Sequence, residues 1–271
     1  MRISFSTGTF YHRGLAYSLR LAREAGFDGV ELVVGGRYII QGTAPYQRAV
    51  AASGVSVLSV HPPFYLLPGW PRRFTQSIPQ LASITQALGG ELCVVHTPFL
   101  TSTETPRALR YSAGLRQALA AADLRIEIAL ESSQYNERDR RYLLDDLRAL
   151  VDFAQERGCA VTFDTCHAGA NGEDILACYE IVRPALRNVH LSDVIWRAGK
   201  PITHRLPGEG TLPLAPFLGL LARDGYDGLV TLEIHPREAS FLNPTHALRR
   251  LRTAIDFVRG ALAQPAARNP I

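Results

Sequence analysis

No apolar run in the chain reaches the roughly 20 residues that a membrane-spanning helix needs, so no membrane partner is expected. No G-x-G-x-x-G or Walker pattern follows the first strand-like segment; Ser6-Thr7-Gly8-Thr9-Phe10-Tyr11 stands there instead. That argues against an open doubly wound sheet and against a nucleotide cofactor. Cysteine is scarce, with only Cys93, Cys159, Cys166 and Cys178, and no two form a CxxC pair. A chain this long needs no disulfide staples, so reduced thiols and a cytoplasmic location are expected. The start, Met1-Arg2-Ile3-Ser4-Phe5, runs directly into a strand-like pattern and lacks the apolar core and cleavage site of a secretory leader. A basic arm is missing too. Net charge is +4, arginine is scattered, and much of the excess sits in the last helix and tail. Such a charge permits contact with phosphates without demanding it, which leaves nucleic acid a weak candidate partner.

What the chain does contain is an alternation. Its 271 residues are 46% hydrophobic, and the length is close to the ~250 of a (β/α)8 barrel. Short β-branched runs at 3–6, 29–33, 56–61, 91–96, 126–131, 160–164, 188–191 and 229–233 read as eight strands. Amphipathic stretches at 15–25, 74–88, 106–122, 140–157 and 214–223 read as helices between them, and Gly26, Gly89 and Gly158 sit where helices should stop. One joint recurs: Ala25-Gly26-Phe27-Asp28-Gly29-Val30-Glu31-Leu32 resembles Asp224-Gly225-Tyr226-Asp227-Gly228-Leu229-Val230. Repeated helix, glycine stop, turn and buried strand fit a barrel built from βα modules. The expected layout is a single α/β domain, an eight-stranded parallel TIM barrel over 1–262, with a loose polar tail over 263–271.

The placement of potential ligands is the main functional signal. His61, His96, Glu131, Asp164, His190 and Glu233 fall at or near the ends of six consecutive strands, the third to the eighth. In a (β/α)8 barrel those ends form one rim, where active sites lie. Carboxylates and imidazoles crowded there would repel or stay desolvated unless a cation compensates. Mixed carboxylate and imidazole donors suit Mn, Zn, Co or Mg. Glu131 and Glu233 end wholly apolar strands, where an unpaired buried role is costly. Glu31 follows the second strand and could equally tie down the rim. Asp193 could orient an imidazole or cap a turn. His12 and His235 fall in no pattern, and no base is placed to activate Cys166. Trp196 and Arg197, beyond the seventh strand, are candidate substrate contacts, as are the aromatic and basic residues Tyr65, Trp70, Arg72 and Arg73.

At Phe163-Asp164-Thr165-Cys166-His167-Ala168-Gly169, at His190-Leu191-Ser192-Asp193 and at 204–210, the chain resembles the xylose isomerase-like TIM-barrel superfamily, which includes the AP endonuclease 2 family. That group joins sugar isomerases and epimerases with phosphodiesterases of the endonuclease IV type. For the isomerase and epimerase branch, the resemblance implies Glu131, Asp164, His190 and Glu233 as ligands of one divalent metal. Glu131 and Glu233 double as the acid–base pair: one carboxylate removes a proton beside a carbonyl, an enediolate forms, and the other returns the proton. The substrate it implies is a small sugar or sugar phosphate. The phosphodiesterase branch would add His61, His96, His167 and His204 on further metals. Two departures from that branch stand out. Ile202 occupies the place of a ligand aspartate, and Ser132-Ser133-Gln134-Tyr135-Asn136 replaces a Gly-Gln-Gly run. A metal-dependent isomerase or epimerase is therefore the leading expectation, a two- or three-metal phosphodiesterase the alternative, and a homo-oligomer is compatible with either.

Overall fold

Short β-branched runs form the strands, and left-handed glycines end several of the helices between them. β1 (Arg2–Ser6) passes through a 3-10 turn into α1 (Leu15–Ala25) and β2 (Gly29–Val33). α2 (Gly36–Gln41), α3 (Thr43–Ser53), β3 (Ser56–His61), α4 (Phe74–Ala87), β4 (Leu92–His96), α5 (Pro106–Ala121) and β5 (Glu127–Glu131) follow. Next come α6 (Leu147–Gln155), β6 (Ala160–Asp164), α7 (Thr165–Ala170), α8 (Ile175–Val182) and β7 (Leu186–Leu191). A hairpin of β8 (Asp193–Arg197) and β9 (Lys200–Arg205) precedes α9 (Leu214–Arg223), β10 (Leu229–Leu232) and α10 (Pro244–Ala263). This computed structural model describes residues 1–121, 126–134, 142–240 and 242–263.

The strands close in the order β1-β10-β7-β6-β5-β4-β3-β2. All eight neighbouring pairs are parallel, from Arg2 beside Leu229 round to Ser6 beside Glu31. The result is the (β/α)8 barrel that the alternation predicts, with each expected strand in place. Gly26 ends α1 at φ 87°, a backbone setting that a Cβ disfavours. The helix expected over 140–157 is shorter. Within its described part, a 3-10 turn at Leu143–Asp145 gives way to α6, because Asp146 accepts a hydrogen bond from the Ala149 amide (2.9 Å) and starts a new helix. The hairpin and the helices α2, α3, α7 and α8 were not expected. The tail expected after 262 falls, from residue 264 on, outside the described residues.

Period-two alternation places Leu229, Thr231 and Glu233 on one face, as it does Asn188 with His190 and Ala160 with Thr162 and Asp164. That face is the barrel interior, and it is layered. Leu58, Leu92, Val94, Ala129 and Leu229 form a small apolar plug at the amino end. Above it lies a buried polar layer, in which Ser4 Oγ meets Thr231 Oγ1 (2.9 Å) and Thr231 donates to Asn188 Oδ1 (3.0 Å). The ionisable groups occupy the next level, at the carboxyl ends. The large apolar core lies outside, between strands and helices.

The 193–212 segment is organised by one buried carboxylate. Asp193 Oδ1 accepts the amides of Val194 (2.9 Å) and Leu212 (3.0 Å), and Oδ2 those of Gly208 (3.1 Å) and Gly210 (3.0 Å). A Cβ on Gly210 would lie 2.2 Å from Asp193 Oδ1, so the glycine is required by this approach. Asp193 therefore ties down the loop beyond the hairpin and touches no imidazole. Replacing it (Asp193→Ala) strands several amides, each worth about 1–3 kcal/mol. Urea unfolding should show a loss of about 3 kcal/mol or more; a loss under about 1 kcal/mol would contradict this role.

Candidate metal centre

His190 is the hub. It stands one residue before the end of β7, beside Asp164 of β6 and Thr231 of β10, and it is fully buried. Its Nδ1 lies 3.0 Å from Glu131 Oε1, 2.9 Å from Glu233 Oε2 and 3.9 Å from Asp164 Oδ2. Its Nε2 lies 3.1 Å from Glu31 Oε2, which in turn accepts the Ser59 hydroxyl (2.9 Å). Burial alone would push the His190 imidazole down, but Glu31, Glu233 and Glu131 outweigh it and hold it well above its ordinary value. The reciprocal effect acts on the acids. Burial would raise Glu131, yet His190 and His61 hold it well below the usual carboxylate range, and His190 likewise brings Glu233 down to about 2.

Local devices aim each group. Asp164 serves as the N-cap of α7: its Oδ1 accepts the amides of Cys166 (2.8 Å) and His167 (2.9 Å). That leaves Oδ2 turned to the cluster, buried and without a hydrogen-bond partner. Glu131 divides its two oxygens. Oε1 faces His190, while Oε2 lies 3.3 Å from His61 Nε2 and 3.4 Å from His96 Nε2. The two histidine Nε2 atoms are 3.1 Å apart. His167 donates from Nδ1 to the Ser132 carbonyl (2.9 Å), which leaves Nε2 as an acceptor. His204 sits at the end of β9 with φ 53°, a left-handed setting uncommon for histidine, and its Nδ1 reaches the Glu233 carbonyl (3.2 Å). The His167 and His204 rings are 5.7 Å apart.

The buried oxygens Glu31 Oε1 and Asp164 Oδ2 lack hydrogen-bond partners among the described residues, and Glu233 Oε2 has only its close approach to His190 Nδ1, outside hydrogen-bond geometry. Dry, unpartnered carboxylate oxygens are costly, and a cation relieves the cost. The geometry suits one. Ligands about 2.1 Å from an octahedral ion stand about 3 Å apart when adjacent and about 4.2 Å apart when opposite. Donor atoms of Glu131, Asp164, His190 and Glu233 lie within 4.8 Å of one another, and the distances from His190 Nδ1 fall at 2.9–3.9 Å. Two further groups of donors are close enough to hold an ion: His61 with His96 and Glu131, and Cys166 with His167 and His204.

The eight sequence candidates thus come together at one mouth in three donor groups; Glu131 is shared by two of them, and His167 and His204 stand in the third. Trp196 and Arg197 lie on β8, outside the donor groups. Two residues gain importance over their sequence reading. Glu31 receives the second ring nitrogen of His190, and Ser59 supports Glu31; the alternating pattern of β2 placed Glu31 on the inner face but could not pair it with a residue far along the chain. All four cysteines are free and buried. Burial, and after it Asp164, pushes the Cys166 thiol well above its ordinary range, which keeps it neutral.

A closed parallel barrel with its polar residues gathered at the carboxyl ends of the strands has the layout of TIM-barrel enzymes. The chain belongs to the xylose isomerase-like TIM barrel family, whose model matches residues 19–260. An uncharacterised protein of Mycobacterium tuberculosis (strain ATCC 25618 / H37Rv) is 27% identical over 282 residues, spanning 96% of this chain and 97% of the relative. An inosose dehydratase of Mesomycoplasma hyopneumoniae (strain 232) is 26% identical over 137 residues, 44% of each chain. The crystal structure of a D-tagatose 3-epimerase-like protein aligns with a TM-score of 0.71 at 21% identity, over 96% of this chain and 99% of that one. The named similar proteins thus include epimerases and dehydratases. No helix among the described residues is long and apolar enough to cross a membrane.

Two outcomes follow for divalent cation binding. Glu31→Gln should weaken Mn2+ binding about 10- to 100-fold by calorimetry, as for other partners that orient a ligand histidine; unchanged affinity would remove Glu31 from the centre. His190 must also give up its Nδ1 proton to ligate. The surrounding acids hold the folded value up, so at pH values below it binding should release a proton and tighten as the pH rises. Titrations in buffers of different ionisation enthalpy count that proton, and a count near zero would contradict the assignment.

Proposed function

We propose that this chain is a divalent-metal-dependent isomerase or epimerase of a sugar or sugar phosphate, working by carboxylate-mediated proton transfer through an enediolate. The observation that carries the reading is the pairing of Glu131 and Glu233 about one donor cluster. They end β5 and immediately follow β10, three positions apart around the eight-stranded ring, so they reach the mouth from opposed sides. Such a pair can take a proton from one face of a carbon and return one to the other face or to its neighbour. Both are held ionised, as a proton acceptor must be. Asp164 and His190 complete the ligand set with them, and Glu31 fixes the ring of His190.

A bound Mn, Zn, Co or Mg ion would polarise the substrate carbonyl and offset the charge that develops on its oxygen. His167 and His204 offer free Nε2 atoms at the rim, positions from which they can hold hydroxyl groups. Trp196 and Arg197 are further candidates for holding the substrate. Names among the similar proteins support a sugar-like substrate, and a dehydratase among them is compatible, since loss of water beside a carbonyl can begin with the same proton abstraction. A cytoplasmic location and the 1–262 domain extent remain part of this reading.

One observation favours a second reading. Glu131 faces His190 with one oxygen and His61 and His96 with the other, the arrangement of a carboxylate bridging two ions. Two ions about 3.5–4 Å apart are the machinery of phosphodiester hydrolysis.

The two separate cleanly. Mn2+-loaded protein incubated in D2O with D-fructose or D-tagatose should place deuterium on the carbon next to the carbonyl, read by proton NMR. Glu131→Gln and Glu233→Gln should each slow that exchange by a factor of about 10²–10⁴. Isomerised product free of solvent deuterium would contradict proton transfer, and hydrolysis of bis(p-nitrophenyl) phosphate without exchange would favour the second reading.

A further inference from the structure

The rim has a charged feature that the donor cluster does not use. No Asp or Glu occurs anywhere between Leu32 and Gly90, a stretch that carries Arg37, Arg48, Arg72 and Arg73. That stretch builds the loops after β2 and β3, so one side of the barrel mouth is cationic. Within it, a cavity of about 60 Å³ opens at the carboxyl ends of β1 and β2, lined by Thr7, Arg13, Gly14, Ser18, Arg37 and Tyr46 among others. One water needs about 10–15 Å³ on this measure, so the space holds roughly four oxygen atoms, the complement of one phosphate group.

Its lining is built for an anion. Neither Arg13 nor Arg37 has a carboxylate partner among the described residues. The end of α1 opens onto the same space: Gly14 gives its first amides no capping side chain, and its first turn holds no acidic residue. Tyr46 is more than nine-tenths buried, its ring fixed edge-on against Tyr38 at 4.9 Å. Among the described residues no hydrogen bond reaches the hydroxyl of Tyr46 or of the buried Ser18. Two exposed guanidinium groups without carboxylate partners, that of Arg13 lying 5.4 Å over the Tyr17 ring, two hydroxyls and an uncapped helix start therefore line a space of about one phosphate.

The cavity adjoins the donor cluster. Val33 lines it and stands beside His61 in the β2–β3 register. Gly8 also lines it, and the Phe64 ring packs where a Cβ of Gly8 would be, its centroid 5.0 Å from the His61 ring. The Phe64 ring thus lies against both the Gly8 wall of the cavity and the His61 ring.

We propose that this cavity is an oxyanion subsite, held by Arg13 and Arg37, that takes the phosphate of a phosphorylated sugar whose carbonyl end lies at the donor cluster. Assigning the phosphate to the substrate rests on the proton-transfer reading above; anion binding in the cavity stands on its own lining. The site selects phosphorylated over neutral sugars, a choice that the sequence alone left open.

Inorganic phosphate is the first probe, titrated calorimetrically into the full chain both Mn2+-loaded and chelated. Binding should persist in the chelated protein, because the cavity holds no metal ligand. Arg13→Gln/Arg37→Gln should weaken it at least about tenfold, and Tyr46→Phe, which preserves the packing, should weaken it measurably. D-fructose 6-phosphate should compete with phosphate while D-fructose does not. Three results would overturn the proposal: phosphate binding only when Mn2+ is present, unchanged affinity in both variants, or phosphate that binds without competing with the sugar phosphate. Mn2+ affinity should stay at the wild-type level in Arg13→Gln/Arg37→Gln, so failure of this subsite and failure of the metal centre give different patterns.

Discussion

His190 has carboxylates on both of its ring nitrogens, and much of the barrel mouth follows from keeping those charges dry and close. Glu31, Glu131, Asp164 and Glu233 come from four different strands, and each is at least nine-tenths buried. Buried carboxylates this close repel, and one imidazolium does not neutralise all four. Without a metal, burial would lower His190 and His61, but the acids pull both upward and so favour the protonated imidazoles. A divalent ion is the species that satisfies the charge and the unpartnered oxygens together. The crowding that makes the folded interior electrostatically expensive is what a cation in the proposed centre would relieve.

The fold meets that requirement through ordinary backbone devices. Period-two alternation sends the strand-end acids inward, above a polar layer that reaches down to Thr231 and Asn188. A helix cap uses one oxygen of Asp164 and frees the other. The Ser59 hydroxyl steadies Glu31, which steadies His190. Asp193 gathers four amides and so fixes the loop that follows β9, the strand that delivers His204. Thr231, Asn188, Ser59, Glu31 and Asp193 stand outside the expected ligand set, yet they support the residues within it.

The barrel and the gathering of candidate ligands at the strand ends were legible in the chain because both rest on local pattern, whereas the four-residue ligand set rests on the family resemblance. Each strand is a short β-branched run, and His61, His96, Glu131, Asp164 and Glu233 fall at or just beyond the carboxyl ends of theirs. Long-range pairing was not legible. Nothing near Glu31 in the chain signals that it meets His190, because contact between β2 and β7 exists only once the barrel closes. The hairpin was missed because Ile195 and Trp196 alternate over too short a span, beside Gly199 and Pro201, to separate a strand from a loop. α7 was missed because Thr-Cys-His-Ala-Gly-Ala is six residues long and its helical start depends on the Asp164 side chain. The cationic cavity likewise needed the structure, since Arg13 and Arg37 are scattered arginines until β1 and β2 bring them to one space.

The central claim is that Glu131, Asp164, His190 and Glu233 hold a divalent ion at the carboxyl end of the barrel. Crystals grown with Mn2+ and measured at the manganese absorption edge test it most directly. The account predicts an anomalous peak within about 2.0–2.3 Å of His190 Nδ1, Asp164 Oδ2 and an oxygen of each glutamate. A manganese peak confined to other residues, or no peak at saturating Mn2+, would contradict it.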